Sequence, residues 1–203
     1  MTVQRYSKIY LPITVLSAYT RGDFIMPFWL KIVLKIAQII NPQINLAQEF
    51  TITVEELEEL RQLPNDTLGR EVAQFLDNNG FDPLNSGDWI QRTHDVWHVL
   101  TGFGCSPHDE LLLQIFTRAQ VFRPTSAIVV TLGLLTGMCN FREVRQVLKM
   151  GKQAKPIMGW DIKTDWKTPL VEVRKKFNII PLNSMQQGFA NSNENLIVQR
   201  PVQ

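Results

Sequence analysis

Apolar residues recur at spacings of three and four along most of the chain, the pattern of helices that bury one face. Alternation with a period of two, which would indicate strands, never extends beyond a few residues. No internal repeat and no linker rich in Pro or Gly divides the sequence. We therefore predict an all-α fold, a single-domain helical bundle over residues 1–182. A flexible polar tail rich in Asn, Gln and Ser is expected over residues 183–203.

Capping signals divide the first half of this pattern into separate helices. Thr53 with Glu56 three residues later predicts a capping box that opens a short acidic helix through Leu60. Asp66 is the expected cap of the next helix, and Gly80 is placed to end it.

A longer helix is predicted from Ser86 to about Thr101, before the break at residues 102–104. Its expected core residues are Trp89, Ile90, Val96, Trp97 and Leu100. Ser106 as cap and Pro107 at the first helical position open another helix, which we expect to end near Phe122. Further helices are expected from residue 125, over 141–153 and over 169–178.

Two segments are unusually apolar. Residues 24–40 carry only Lys31 and Lys35 as charges, and residues 127–139 carry none. A membrane-spanning helix needs about 20 apolar residues, and both segments are shorter. We expect the second to be a helix buried on all sides. An interfacial helix on a membrane surface is one alternative for the first, because its lysines share a face and Phe28 and Trp29 suit the headgroup level.

Composition narrows the class of protein only slightly. The chain has 203 residues with 21 Lys and Arg against 19 Asp and Glu, so a net charge of +2 gives no strong attraction to nucleic acid. Two cysteines without a CxxC motif exclude a disulfide scaffold and a thiolate zinc site. The first residues lack the features of a signal or transit peptide, so we expect a reducing, intracellular compartment.

The histidines give the strongest chemical signal, because all three lie between residues 94 and 108. His94 and His98 lie one turn apart on the same face of the predicted helix, with Asp95 beside them. The glycine-containing turn allows the next helix to bring Glu110, in its first turn, towards the same place. Two imidazoles and two carboxylates suit zinc, manganese, iron or cobalt, with magnesium as a further alternative. His108 lies outside this pattern and is expected to face solvent.

Three other metal motifs fit the sequence less well. The HDxxH sequence has Asp where zinc proteases have Glu as the general base, which makes a protease a weak alternative. Phosphohydrolases of the HD type need a histidine upstream of the His-Asp pair, and none precedes His94. Ferritin-like di-iron sites need paired Glu-x-x-His motifs, which are absent.

The spacing His94-Asp95-x-x-His98-x11-Glu110 resembles the signature of the coenzyme Q (ubiquinone) biosynthesis protein 4 family. The likeness extends to the surrounding sequence and is clear over roughly residues 86–180. The matching stretches are 92–102 for the motif helix, 110–113 for its partner, and 160–166 with 169–174 for the closing segment.

The resemblance implies an all-helical fold that holds a divalent metal through His94, Asp95, His98 and Glu110, which are then also the expected catalytic residues. It implies binding of a polyprenyl lipid or prenylated aromatic acid, and peripheral attachment to the membrane that houses quinone synthesis. Asp95 has the alternative role of a general base beside the metal. A bacterial member acting from the cytoplasmic side of the membrane is expected.

Two functions compete under this resemblance. The first is a metal-dependent oxidative decarboxylase that replaces the ring carboxyl at C1 with a hydroxyl. The second is a non-catalytic scaffold that holds a polyprenyl lipid for other quinone-biosynthesis proteins. A metallohydrolase is a third and weaker candidate, no nucleic-acid partner is expected, and a homo-oligomer is compatible with either main function.

Two further features concern the lipid. Gly133 and Gly137 have the spacing of small residues that allow close helix packing, with a slot for an isoprenoid tail as the alternative. Four arginines have the chemistry to bind an anionic head group, although solvated surface charge is the expected role for most of them. They are Arg118, Arg123, Arg142 and Arg145.

Overall fold

The fold is taken from a computed structural model that describes residues 50–181. Within this range the chain forms α-helices and one short 3-10 helix, and no strand, which confirms the all-α prediction. The helices are α1 (Val54–Arg61), α2 (Leu68–Asn79), α3 (Trp89–Arg92), α4 (His94–Thr101), α5 (Pro107–Gln120), α6 (Pro124–Leu135), α7 (Phe141–Gln153), the 3-10 helix (Ile162–Asp165) and α8 (Leu170–Lys176). The apolar segment 24–40 and the tail 183–203 lie outside the described residues.

Contacts group the described residues into two compact units. Residues 104–149 belong to one, with α5, α6 and most of α7. Residues 50–103 and 150–181 belong to the other, with α1 to α4, the end of α7, the 3-10 helix and α8. The single-domain boundary at residue 182 stays a prediction.

In the unit of residues 50–103 and 150–181, α2 is the central helix and packs against α1, α4 and α8. The Thr53 side chain accepts a hydrogen bond from the Glu56 N–H at 3.1 Å, which is one half of the predicted capping box. The Glu56 carboxylate instead accepts from Lys163 and Trp166. The buried core of the unit includes Leu60, Leu68, Val72, Leu76, Trp89, Trp97, Leu100 and Val173.

The start of α2 differs from the prediction. The cap residue is Thr67 and not Asp66, and its side chain makes no capping bond. The first two N–H groups of the helix instead donate to the carbonyl oxygens of Thr168 and Trp166, each at 2.9 Å. Gly69 allows this approach, because a Cβ there would lie 3.1 Å from the Trp166 oxygen. Backbone from far along the chain therefore replaces the side-chain cap.

The single helix predicted from Ser86 to Thr101 is two helices. Asp88 caps α3 in a capping box with Gln91, and the chain leaves the helix at Thr93 before α4 begins. The core prediction for this stretch is confirmed: Trp89, Ile90, Val96, Trp97 and Leu100 are all buried. The predicted break after α4 is also confirmed, since Gly102 ends the helix with φ of 76°.

In the unit of residues 104–149, α5 packs against α6. Ser106 caps α5 and Pro107 is at its first position, as predicted. Gly133 lies where a Cβ would overlap the side chain of Leu111, which agrees with close helix packing, whereas Gly137 lies beyond α6 with no atom near its Cβ position. The expectation that this helix is buried on all sides is wrong, because Leu135 at its end is 77% exposed.

Among residues 50–181, no helix combines the length and the apolar character required to cross a membrane.

Candidate metal centre

The motif helix α4 is anchored through Thr93, the residue immediately before it. The Thr93 hydroxyl donates to the carbonyl oxygen of Trp89 at 2.8 Å and accepts from the indole N–H of Trp97 at 2.9 Å. The two indole rings pack edge to face, with centroids 6.3 Å apart. With Trp97 fixed in the core, the rotation of α4 about its axis is fixed, and with it the positions of His94 and His98 around the helix.

The two motif histidines meet through the same ring nitrogen. Nε2 of His94 lies 3.1 Å from Nε2 of His98, and the ring planes are nearly perpendicular at 86°. Two ligands on one ion with bonds of about 2.1 Å lie about 3.0 Å apart at a right angle and about 3.4 Å apart at the tetrahedral angle. The observed distance falls between these values.

The ring of His98 is fixed on its other edge. Its Nδ1 lies 3.1 Å from the carbonyl oxygen of Phe103. Because a carbonyl oxygen only accepts, Nδ1 carries the hydrogen in this contact, which leaves Nε2 as the ring nitrogen able to bind a metal. This is the arrangement by which proteins orient metal-binding histidines.

Burial adds a second constraint on His98, whose exposed fraction is only 2%. The ring of Phe75 on α2 stacks on it, with centroids 5.1 Å apart and planes inclined by 22°. His98 therefore has a fixed ring plane and a fixed tautomer.

Glu110 lies in the first turn of α5 and is buried, with 4% of its surface exposed. Among residues 50–181, His94, His98 and Glu110 form a group in which one ligand atom from each lies within 4.8 Å of the others. Two imidazole nitrogens and one carboxylate oxygen are a donor set found in zinc and non-haem iron sites. These residues therefore fit a divalent metal ion.

The other two polar residues of the motif region have different surroundings. Asp95 is half-buried in the first turn of α4 and is not a member of the three-residue group. Its assignment as a ligand or a base stays a prediction. His108 is paired with Glu143, Nε2 to Oε1 at 3.3 Å, and its side chain is 42% exposed. His108 is thus outside the group, as the sequence indicated.

The four arginines considered for a head group are not equivalent. Arg142 and Arg145 are exposed, as expected for solvated charge. Arg118 is half-buried, with its guanidinium carbon 5.0 Å from the centre of the Phe122 ring. Arg123 is also half-buried.

Residues that support the histidines were missed by sequence reasoning. The Phe103 carbonyl and the Phe75 ring act through contacts that no motif records. Thr93 gave no usable signal either, because its hydroxyl makes no capping bond to α4 and instead accepts from the Trp97 indole.

The fold and this group define an all-helical protein with a candidate metal centre. Comparison with known proteins identifies its family. The family model for the Coenzyme Q (ubiquinone) biosynthesis protein Coq4 matches residues 38–183, which is most of the chain. The chain therefore belongs to this family, and its role is in ubiquinone biosynthesis.

Individual relatives agree with the family. The mitochondrial ubiquinone biosynthesis protein COQ4 homolog of Nematostella vectensis is 31% identical over 153 residues, which cover 62% of this chain and 72% of the relative. The Mus musculus homolog is 28% identical over 159 residues, covering 66% of this chain and 58% of the relative. The chain thus spans little more than half the length of the mouse protein.

A solved structure shares the fold. It is the crystal structure of a proposed ubiquinone biosynthesis protein from Nostoc punctiforme PCC 73102, with a TM-score of 0.55 and 18% identity. The superposition covers 81% of this chain and 93% of that one.

Proposed function

We propose that this protein binds one divalent metal ion through His94, His98 and Glu110 and acts there on a prenylated aromatic acid in quinone biosynthesis. The observation that carries this proposal is the convergence of the two Nε2 atoms at 3.1 Å, with the opposite edge of His98 held by a carbonyl. Asp95 completes the site as a fourth ligand or as a base beside it.

The donor set narrows the choice of ion. Two imidazoles with a carboxylate favour zinc, iron, cobalt or manganese over magnesium, which prefers oxygen ligands. When bound, such an ion acts as a Lewis acid on the ring carboxylate or the neighbouring phenolic oxygen.

The chain's own residues then have defined tasks. His98 keeps its lone pair directed at one point, because its ring is fixed by hydrogen bonding and stacking. Because Glu110 is buried, water has restricted access to its side-chain carboxylate. The proposed reaction is oxidative decarboxylation at ring C1, in which the carboxyl leaves as carbon dioxide and a hydroxyl replaces it. Dioxygen accepts the two electrons and leaves as hydrogen peroxide, with one water consumed.

We also propose that the protein attaches peripherally to the membrane that holds its lipid substrate, on the cytoplasmic face in a bacterial cell, beside other quinone-biosynthesis proteins. Three large apolar side chains between the end of α6 and the start of α7 support this attachment. They are Leu135, Met138 and Phe141, of which Phe141 is 79% exposed.

Metal content tests the site directly. Elemental analysis and native mass spectrometry of the gently purified protein are expected to give about one metal per chain, with a co-purifying isoprenoid. His98→Ala should lose the metal. His108→Ala is the matched control, since that histidine is exposed and paired with Glu143, and it should keep the metal. Equal metal content in both variants would reject the site.

A turnover assay distinguishes the enzyme hypothesis from the scaffold hypothesis. The substrate is a prenylated hydroxybenzoic acid labelled at its carboxyl carbon, incubated with metal-loaded protein under air. Release of labelled carbon dioxide by the wild type, and its loss in a folded Glu110→Gln variant that still binds the prenyl chain, are expected for the enzyme. Metal and lipid bound without release of carbon dioxide would favour the scaffold.

Membrane attachment is tested by sedimentation with vesicles. Replacing Leu135 and Phe141 together by Ser should reduce the bound fraction. Val171→Ser is the control, because Val171 is similarly exposed at 71% but belongs to α8. An equal decrease in the membrane-bound fraction of the double variant and of Val171→Ser would contradict attachment through a surface specific to the end of α6.

A further inference from the structure

The end of the motif helix is completed by a residue from far along the chain. The last four carbonyl groups of a helix have no partner inside it. In α4, the first of these, from His98, accepts from the Gly102 N–H at 2.8 Å. The next two, from Val99 and Leu100, need donors from elsewhere.

Arg174 on α8 supplies both donors. Its Nη2 donates to the Val99 carbonyl at 2.8 Å, and its Nε donates to the Leu100 carbonyl at 3.0 Å. Neighbouring N–H groups of one planar guanidinium thus bind adjacent carbonyls, an arrangement that the rigid fork of arginine allows and the single ammonium of lysine does not.

The positive charge of Arg174 also stabilises the end of α4. A cation at the carboxyl end of a helix interacts favourably with the helix dipole. Burial lowers the pKa of Arg174, partly offset by the charge of Glu71, but an arginine stays protonated in a protein. The last turn of α4 is therefore bound to a fixed positive charge.

This turn leads directly to the group that orients His98. Gly102 follows the helix in the left-handed region, and Phe103 then offers its carbonyl to Nδ1 of His98. Arg174 also borders the turn itself, because a Cβ on Gly102 would lie 3.9 Å from its Nη2. The Arg174 guanidinium is therefore connected to the His98 ring through the few backbone residues that lead from Leu100 to Phe103.

We propose that Arg174 is a positioning residue of the metal centre. By holding the last turn of α4 it keeps the Phe103 carbonyl on Nδ1 of His98 and so keeps Nε2 available to the ion. This inference rests on the proposed function, since it presupposes that His98 is a metal ligand.

Two variants at this position and one control test the role. Arg174→Ala removes the fork and the charge, and Arg174→Lys keeps the charge alone. Lys175→Ala is the control, because Lys175 is the exposed neighbour on the same helix. Binding is measured by titrating metal-free protein with Co²⁺ and following its visible absorption. The His98 tautomer is read from the ring ¹⁵N shifts of the metal-free protein at fixed pH.

Both Arg174 variants should bind Co²⁺ about 10–100-fold more weakly than the wild type, as for the loss of groups that support metal ligands. Their His98 signals should move from a single tautomer towards an exchanging mixture. Lys175→Ala should change neither quantity. A role limited to stability would lower the melting temperature of the variants but leave the folded protein's tautomer and Co²⁺ spectrum unchanged.

Failure of the proposed metal site and failure of the role proposed for Arg174 give different results. Wild-type protein that binds no Co²⁺ would overturn the proposed metal site, and the ¹⁵N shifts would still decide whether Arg174 controls the His98 ring. Wild-type binding with both variants within about twofold of it, and an unchanged His98 tautomer, would overturn the role of Arg174. If Arg174→Ala does not fold, Arg174→Lys decides by the same two measurements.

Discussion

The ring of His98 donates its Nδ1 hydrogen to the carbonyl oxygen of Phe103, five residues further along the chain and 3.1 Å away. This bond makes the turn after α4 part of the candidate centre. The turn depends on Gly102, whose φ of 76° lies in the left-handed region. The conformation of one glycine is thereby linked to the orientation of a proposed ligand.

Gly102→Ala tests this link. A side chain in the left-handed region costs about 1–2 kcal/mol, and the new Cβ would also lie 3.3 Å from Cβ of Pro181. We expect the free energy of unfolding to fall by at least this amount, measured by urea denaturation, and the metal affinity to fall with it.

Gly80→Ala provides the matched comparison. Gly80 ends α2 with φ of 64° and has no atom within 4 Å of its Cβ position. It should lose a similar free energy of unfolding while metal affinity stays unchanged. Equal effects of the two substitutions on metal affinity would show that the turn after α4 has no special role.

The Thr93 hydroxyl is expected to be essential for anchoring α4. Thr93→Val keeps the shape but removes the acceptor of the Trp97 indole N–H. Loss of a buried hydrogen-bond partner costs about 1–3 kcal/mol, which urea denaturation will resolve. Thr93→Ser keeps the hydroxyl and should be less destabilising. A larger loss in the serine variant would mean that the methyl group matters more than the hydrogen bond.

Asp165 should make stability depend on pH in the acid range. Burial would raise the pKa of its carboxyl, but hydrogen bonds from Lys176, Trp160 and Thr168 bring it below its ordinary value. A lowered pKa in the folded state stabilises the protein above the unfolded value of about 3.9, and this contribution is lost as the pH falls through the folded value.

The variant Asp165→Asn should therefore be less stable than the wild type at neutral pH, by about 1–3 kcal/mol. The difference should shrink as the pH is lowered from about 5 to about 2, where both proteins lack the carboxylate. Urea denaturation at several pH values measures it, with Asp82→Asn as an exposed control. A difference that is independent of pH would contradict the assignment.

The close packing of Gly133 on Leu111 predicts a coupled pair. Gly133→Ala places a methyl group where the Leu111 side chain lies, and overpacking of this kind costs about 1–3 kcal/mol. Leu111→Ala alone should cost about 2–5 kcal/mol, because it leaves a cavity. In the double variant the methyl group enters that space, so the cost of Gly133→Ala should fall towards zero. An unchanged cost in that background would show that the two residues are independent.

Local signals predicted the parts of the fold that depend on local chemistry. The cap at Thr53, the ends of α2 and α4 at Gly80 and Gly102, and the start of α5 at Ser106 were all readable. The histidine pair was also readable, since the helical period alone brings His94 and His98 to one face.

Features that depend on distant parts of the chain were not readable. Asp66 looked like a cap, but its carbonyl instead accepts from the Leu170 N–H at 2.7 Å. The Arg174 contact with α4 spans 74 positions and has no sequence motif. Tertiary contacts override local preference in each case.

The bonds from the start of α2 to Thr168 and Trp166 also bear on how the protein is made. At about 5–20 residues per second, the ribosome needs roughly 5–20 s to add the hundred residues between Leu68 and its acceptor. During that interval the N–H groups of Leu68 and Gly69 lack these two carbonyl acceptors. In the unit of residues 50–103 and 150–181, the first part can therefore complete its central helix only after the second part has been synthesised. A chain released before residue 166 lacks both carbonyl acceptors.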